Sequence, residues 1–160
     1  MCMAAVSGSD VNVRAFGAAG DGVAKDTAAL QRAIDACAAT GGRVLVPPGT
    51  YLTGSIWLQD GVELHLQEGA TILGSPDLAD YNAPDAYPQN FGSKNEGWSA
   101  KHLILAIEKR NVAITGGGTI DGNGRAFFSD KVSPGGKVCW RQGSINAHGQ
   151  RAEHLLGGKR

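Results

Sequence analysis

Hydrophobic and polar positions follow two different periods along this chain, and the change between them divides it. Leu30, Ala33, Ile34, Cys37 and Ala38 fall at i, i+3, i+4, i+7 and i+8, one apolar stripe of an amphipathic helix. Asp26 stands where an N-cap belongs, with a carboxylate able to accept first-turn N–H groups. Gly41 and Gly42 end the pattern, the first as a left-handed cap. Ahead of the helix, residues 11–16 alternate as a short strand and residues 17–22 read as turn. After it the period falls to two. Short strands are predicted at 43–46, 51–52, 55–58, 62–66 and 71–73, separated by Pro47-Pro48-Gly49, Gly54, Asp60-Gly61, Glu68-Gly69 and Gly74. Val62, Leu64 and Leu66 alternate with Glu63 and His65, so one strand face is buried and His65 lies on the wet face rather than as a ligand.

A second block repeats the first. Val62-x-Leu64 with Ala70-Thr71-Ile72 matches Val112-x-Ile114 with Gly118-Thr119-Ile120, at offsets of 50 and 48 residues. Strand–turn units that recur in this way bury their faces against their neighbours, as stacked coils do. The pattern predicts a mainly β chain, a right-handed parallel β-helix with one N-terminal capping α-helix. A β-sandwich is the alternative, since Asp60-Gly61 and Asp121-Gly122 could also close hairpins. The divisions expected are a flexible stretch at 1–10, a lead-in strand and capping helix at 11–42, and the first coils at 43–128 with a long loop at 75–100. An irregular tail at 129–160 follows. In that tail alternation stops, and the sequence reads either as a disordered terminus or as a stretch foreign to the fold, through truncation or a shifted frame.

Composition narrows the function classes. The 160 residues are 42% hydrophobic with zero formal net charge, which argues against disorder and against an electrostatically driven nucleic-acid or membrane partner. The three cysteines form no C-x-x-C pair and imply neither a disulfide framework nor a zinc site, and Cys37 reads as a small core hydrophobe. The first ten residues lack a basic region and an apolar run, so no secretory signal is predicted, and the compartment stays open. Gly116 to Gly124 and Gly135-Gly136-Lys137 lack a phosphate-loop pattern and read as turns.

The stretch 75–100 is too long and too mixed for a plain turn. Tyr81, Tyr87, Phe91 and Trp98 offer aromatic faces, and Asn90, Lys94 and Asn95 offer polar and cationic groups, a mixture that suits a sugar. The other reading has the aromatics packed back onto the coil.

Asn12-Val13-Arg14-Ala15-Phe16-Gly17-Ala18, Gly20-Asp21-Gly22, Asp26-Thr27, Ala33-Ile34 and Val46-Pro47-Pro48-Gly49-Thr50-Tyr51 together resemble the opening segment of the pectin-lyase-like β-helix superfamily. Within it, Asn111-Val112-Ala113-Ile114-Thr115-Gly116 and Gly118-Thr119-Ile120-Asp121-Gly122-Asn123-Gly124 resemble glycoside hydrolase family 28, the polygalacturonases and rhamnogalacturonases, over roughly residues 11–128. The resemblance implies inverting hydrolysis of galacturonide links in a pectic polysaccharide, with no cofactor and no metal. In such a reaction one carboxylic acid protonates the leaving oxygen while a carboxylate activates water, across a gap of about 6.5–9.5 Å. The family draws these groups from an Asn-Thr-Asp motif and an Asp-Asp pair, aided by His-Gly and Arg-x-Lys. This sequence has none of the three carboxylate or Arg-x-Lys motifs, and His148-Gly149, lacking upstream carboxylates, reads as coincidence. Asp21, Asp26 and Asp35 belong to the cap and Asp121 to a turn. No catalytic residue is therefore assigned. The chain is expected to be a truncated piece, inactive alone, whose last coil edge invites self-association. A non-catalytic polysaccharide-binding or tailspike-like β-helix is the alternative. A pectate lyase would need an acidic calcium cluster, and none is seen.

Overall fold

The computed structural model describes residues 9–82, 101–132 and 138–140. Strand β1 (Ser9–Asn12) passes into a 3₁₀ turn at Val13–Phe16. The strand expected over 11–16 is therefore cut short, because the Asn12 side chain accepts the Arg14 N–H at 2.9 Å and gives the backbone a local alternative to the ladder. Strand β2 (Asp21–Lys25) was hidden in the turn-rich stretch: its positions are almost all exposed, so it carries no apolar alternation.

Helix α1 (Thr27–Ala38) buries Ala29, Leu30, Ala33, Ile34 and Cys37, the predicted stripe. Burial pushes the Cys37 thiol up, with a smaller push from the Asp10 charge, so it stays a protonated core group at neutral pH. The helix begins at Asp26, but the Asp26 carboxylate makes no cap bond. It turns away to accept the N–H groups of Ala19 at 2.6 Å and Gly20 at 3.0 Å. Those two amides of the lead-in turn lack strand partners, and satisfying them decides the direction of a carboxylate that is only 2% exposed. Gly41 is left-handed as predicted, with φ 68°, although it lies beyond the Ala39 cap.

The coils follow as β3 (Gly42–Val46), β4 (Gly49–Thr53), β5 (Ile56–Trp57), β6 (Val62–Leu66), β7 (Ala70–Gly74), β8 (Ile104–Leu105), β9 (Ala113–Gly116) and β10 (Thr119–Asp121). They form three parallel sheets, ordered β1-β3-β6-β9, β2-β4-β7-β10 and β5-β8. Successive circuits visit the sheets in the same order, with α1 following β2 in the first circuit where later ones have a third-sheet strand, which is a parallel β-helix, right-handed as such crossovers are. A sandwich would pair these strands as antiparallel hairpins. Among the described residues the antiparallel pair is β11 (Phe128–Val132) with β12 (Val138–Trp140), outside the coil sheets and within the stretch where alternation gave no strand.

Register explains the internal repeat. Val44 pairs with Leu64 and Leu64 with Ile114, while Tyr51 pairs with Ile72 and Ile72 with Ile120. The offsets of 50 and 48 residues are thus the strand register itself. The preceding coil repeats after only 20 and 21 residues, so the difference is taken up between β7 and β8. Inward columns of these residues, joined by Leu30 and Ile34 from α1, make a single core. The helix packs on β1, β3, β5 and β6 and closes one end of the stack. At the other end Ile114 continues the column of Val44 and Leu64 yet is 45% exposed, since no described strand lies beyond β9. Gly116 allows the corner after β9: its φ is 96°, and a Cβ there would stand 1.9 Å from the Leu66 carbonyl oxygen. Among the described residues no helix is long and apolar enough to cross a membrane.

Candidate functional site

Side chains that can meet a ligand lie on the outward positions of the three sheets. On the first sheet the outward ladder runs Asp10–Arg43–Glu63 beside Leu45–His65–Thr115. Arg43 holds Asp10 through two hydrogen bonds of 3.1 and 2.9 Å, and keeps that carboxyl below the usual range. Thr115 gives its single hydroxyl proton to Glu63 at 2.5 Å, so it can only accept from His65 Nδ1 at 2.7 Å. His65 therefore carries its proton on Nδ1. It is outward and half-buried, as its place in the alternation predicts. These contacts tie neighbouring coils together.

The third sheet faces the place where the long loop leaves and returns. Its two ends are clamped: Asn82 N–H donates to Ser55 Oγ at 2.8 Å, His102 N–H donates to Asn82 Oδ1 at 2.8 Å, and Ser55 Oγ donates to the His102 carbonyl at 2.5 Å. Strand β8 was not expected from the alternation, although the apolar run Leu103-Ile104-Leu105 signals it. Ile56 and Leu58 donate from one edge of β5 to the Leu103 and Leu105 carbonyls, at 2.9 and 2.7 Å. On the other edge Gln31 of α1 takes the place of a strand. Its Oε1 accepts the Trp57 N–H at 2.8 Å and its Nε2 donates to the Trp57 carbonyl at 3.0 Å. The Trp57 side chain points outward, 37% exposed, and sequence reading passed it over within a short apolar run.

Of the aromatics in the stretch 75–100, Tyr81 follows the packed-back reading. It is buried, its hydroxyl donates to the Ser75 carbonyl at 2.8 Å, and burial together with the Asp80 charge pushes its phenol far up. It packs back onto the coil because the 3₁₀ turn Leu78–Asp80 folds the loop's first residues against β4 and β7. Tyr87, Asn90, Phe91, Lys94, Asn95 and Trp98 lie outside the described residues, as do His148-Gly149, residues 1–8 and most of the tail. Asp121 accepts the Asn123 N–H at 2.7 Å, a turn role as expected. Among the described residues no cluster of three or more His, Cys, Asp or Glu could hold a metal ion.

Asp80 anchors the same turn. Partial burial pushes its carboxyl up, but hydrogen bonds from Lys25, at 2.8 Å, and from Ser75 outweigh this and hold it below 3.8. A depressed carboxyl stabilises the fold above its unfolded value and loses that contribution as pH falls through its folded value. We therefore expect the difference in thermal midpoint between the parent and Lys25→Met to be steady near neutrality and to shrink below pH 3.8. A difference that is unchanged in acid would disprove the tie.

This architecture has known counterparts. The sequence model of the family "Rhamnogalacturonase A/epimerase, pectate lyase-like" matches residues 10–126. An exo-poly-alpha-D-galacturonosidase of Dickeya chrysanthemi is 44% identical over 123 residues, 71% of this chain and 19% of that protein. Mannuronan C5-epimerase AlgE4 of Azotobacter vinelandii is 34% identical over 146 residues, 85% of this chain and 25% of that protein. The solved family 28 exopolygalacturonase of Yersinia enterocolitica superposes with a TM-score of 0.60 at 36% identity, over 82% of this chain and 24% of that one. The chain thus spans a quarter or less of the length of these relatives. Coil order, the helical plug and a match over most of its length agree, and the chain belongs to the rhamnogalacturonase A/epimerase, pectate lyase-like family.

Proposed function

We propose that this chain forms the capped first coils of a pectin-degrading glycoside hydrolase of polygalacturonase type, acting on galacturonide links with inversion. The observation that carries this reading is the 44% identity to a galacturonosidase over 123 residues, 71% of this chain. Hydrolysis with inversion needs two carboxyl groups held about 6.5–9.5 Å apart, one donating a proton and one accepting it from water. The 160 residues contain neither Asn-Thr-Asp nor Asp-Asp nor Arg-x-Lys. Their part is structural and substrate-facing: α1 seals the core, and the third sheet offers an outward face to the polymer. Purified chain is expected to bind polygalacturonate and to release no reducing ends from it. Turnover by the chain alone would overturn the division of labour, and absence of binding would overturn the substrate.

A binding-only β-helix is the second reading, favoured by the same missing carboxylate motifs. Joining the coding sequence to the catalytic coils of the Dickeya relative separates the two, because only the hydrolase reading predicts activity in the chimera.

We further propose that the 160-residue polypeptide self-associates through the β9–β10 end. Ile114 and the β9 and β10 edges, which no described strand covers, favour pairing with another chain. Sedimentation is expected to show mass rising with concentration. A monomer at every concentration would refute it.

A further inference from the structure

We infer that Trp57 is a stacking platform for a pyranose ring of an acidic polysaccharide, placed at the helix-capped end of the third sheet. The inference deepens the polygalacturonase reading and rests on it for the acidity of the sugar.

Three large apolar side chains are exposed among the described residues: Val23, Ile114 and Trp57. Val23 sits in the first-described edge strand of the second sheet and Ile114 ends a core column, so neither faces the third sheet. Trp57 does, and its backbone is fixed from both sides. Strand β8 pairs with one edge of β5, and Gln31 fills both hydrogen-bonding groups of Trp57 on the other. Gln31 is itself held by Asp35, to which its Nε2 donates at 2.9 Å. A helix side chain standing in for a strand leaves the indole little backbone freedom, and a preorganised aromatic surface binds with a smaller entropy loss than a mobile one. The indole face is electron-rich and accepts the C–H groups that line one side of a pyranose.

The corner beyond the platform carries both signs of charge. Just beyond Trp57 the turn after β5 holds the turn after β8: Asp60 accepts the Arg110 N–H at 2.7 Å, Lys109 Nζ lies 3.8 Å from the Asp60 carboxylate, and Gly61 N–H donates to the Arg110 carbonyl at 3.0 Å. This corner presents the exposed Glu108, Lys109 and Arg110 at one end of the sheet, and Lys101, whose Nζ donates to the Tyr81 carbonyl at 3.4 Å, leads into its other end. Two relatives carry names of uronate-polymer enzymes, a galacturonosidase and a mannuronan epimerase. The indole supplies the stacking face, and the polygalacturonase reading supplies the acidity of the sugar.

The test is binding of the full 160-residue chain to a galacturonate oligosaccharide and to a neutral galactose oligosaccharide of equal length, followed by calorimetry. Trp57→Ala should weaken galacturonate binding about tenfold, the size of loss typical of a truncated aromatic anchor. Trp57→Phe should recover most of it, and Val23→Ala should leave it unchanged. Circular dichroism confirms that the variants keep their fold. If Trp57→Ala binds galacturonate as tightly as the parent, the platform is wrong while the substrate reading stands. If the parent prefers the neutral sugar and loses it with Trp57→Ala, the platform stands and the acidic substrate falls. Binding to neither overturns both.

Discussion

Gly54→Ala should leave no stable folded state. A Cβ at position 54 would stand 1.8 Å from the Asp80 carbonyl oxygen and 2.6 Å from its carbon, so it meets backbone that cannot swing aside as a side chain would. The same carbonyl accepts the Ser55 N–H at 3.2 Å, and Asp80's side chain is tied to Lys25 and Ser75, so moving it breaks several contacts together. We expect a loss above about 4 kcal/mol, comparable with the whole stability of many domains. Gly117→Ala is the matched control. Its nearest neighbour would be 3.8 Å away, ordinary van der Waals contact, and it should cost under about 1 kcal/mol. Denaturant midpoints of the two variants decide the matter. A soluble Gly54→Ala protein with the parent's midpoint would show that the approach of the turn to β4 is not what the structure describes.

Asp26→Ala should be the next most damaging change. It leaves the Ala19 and Gly20 amides without their acceptor, and hydrogen bonds to a charged group contribute about 1.5–3 kcal/mol each. Because the two bonds share one carboxylate we expect about 3 kcal/mol in all. Damage should spread, since the Gly20 carbonyl accepts the Thr50 N–H at 2.9 Å and so joins the lead-in turn to β4. Asp26→Ser separates this account from simple helix capping. Serine caps a helix almost as well as aspartate, so a capping role would be rescued. A clamp on Ala19 and Gly20 needs the reach of both carboxylate oxygens, and Ser should fall close to Ala in a urea melt. Full rescue by Ser would restore the capping role.

These positions also mark the limits of sequence reading. The stripe from Leu30 to Ala38 and the inward triplets of β6 were legible because burial on one face imposes a period. The match between residues 62–72 and 112–120 was legible because strands that stack in register repeat their inward residues. Strand β2 left no trace, for its side chains face water on both sides. The direction of the Asp26 carboxylate depends on amides six and seven residues away that happen to need a partner, and no local rule weighs that demand against the helix's own. Tyr81 stayed open between a ligand-facing ring and one packed back onto the coil, because composition records a ring and not what covers it. Trp57 was missed for the converse reason: inside an apolar run one exposed position is invisible until pairing shows which way it points.

The unequal coil lengths have a consequence for how such proteins vary. Between the first and second sheets the corner is tight, and a side chain at Gly116 would collide with the strand below, so length cannot change there. Between the second and third sheets, Ser55, Asn82 and His102 bind the outgoing and returning strands directly to each other, so the coil closes whatever chain lies between. Loop-closure cost grows only slowly with length once the two ends are fixed. The scaffold therefore has a socket: a foreign binding segment grafted between Asn82 and Lys101 would inherit a fixed base, and lineages can exchange what they carry there without rebuilding the stack beneath it.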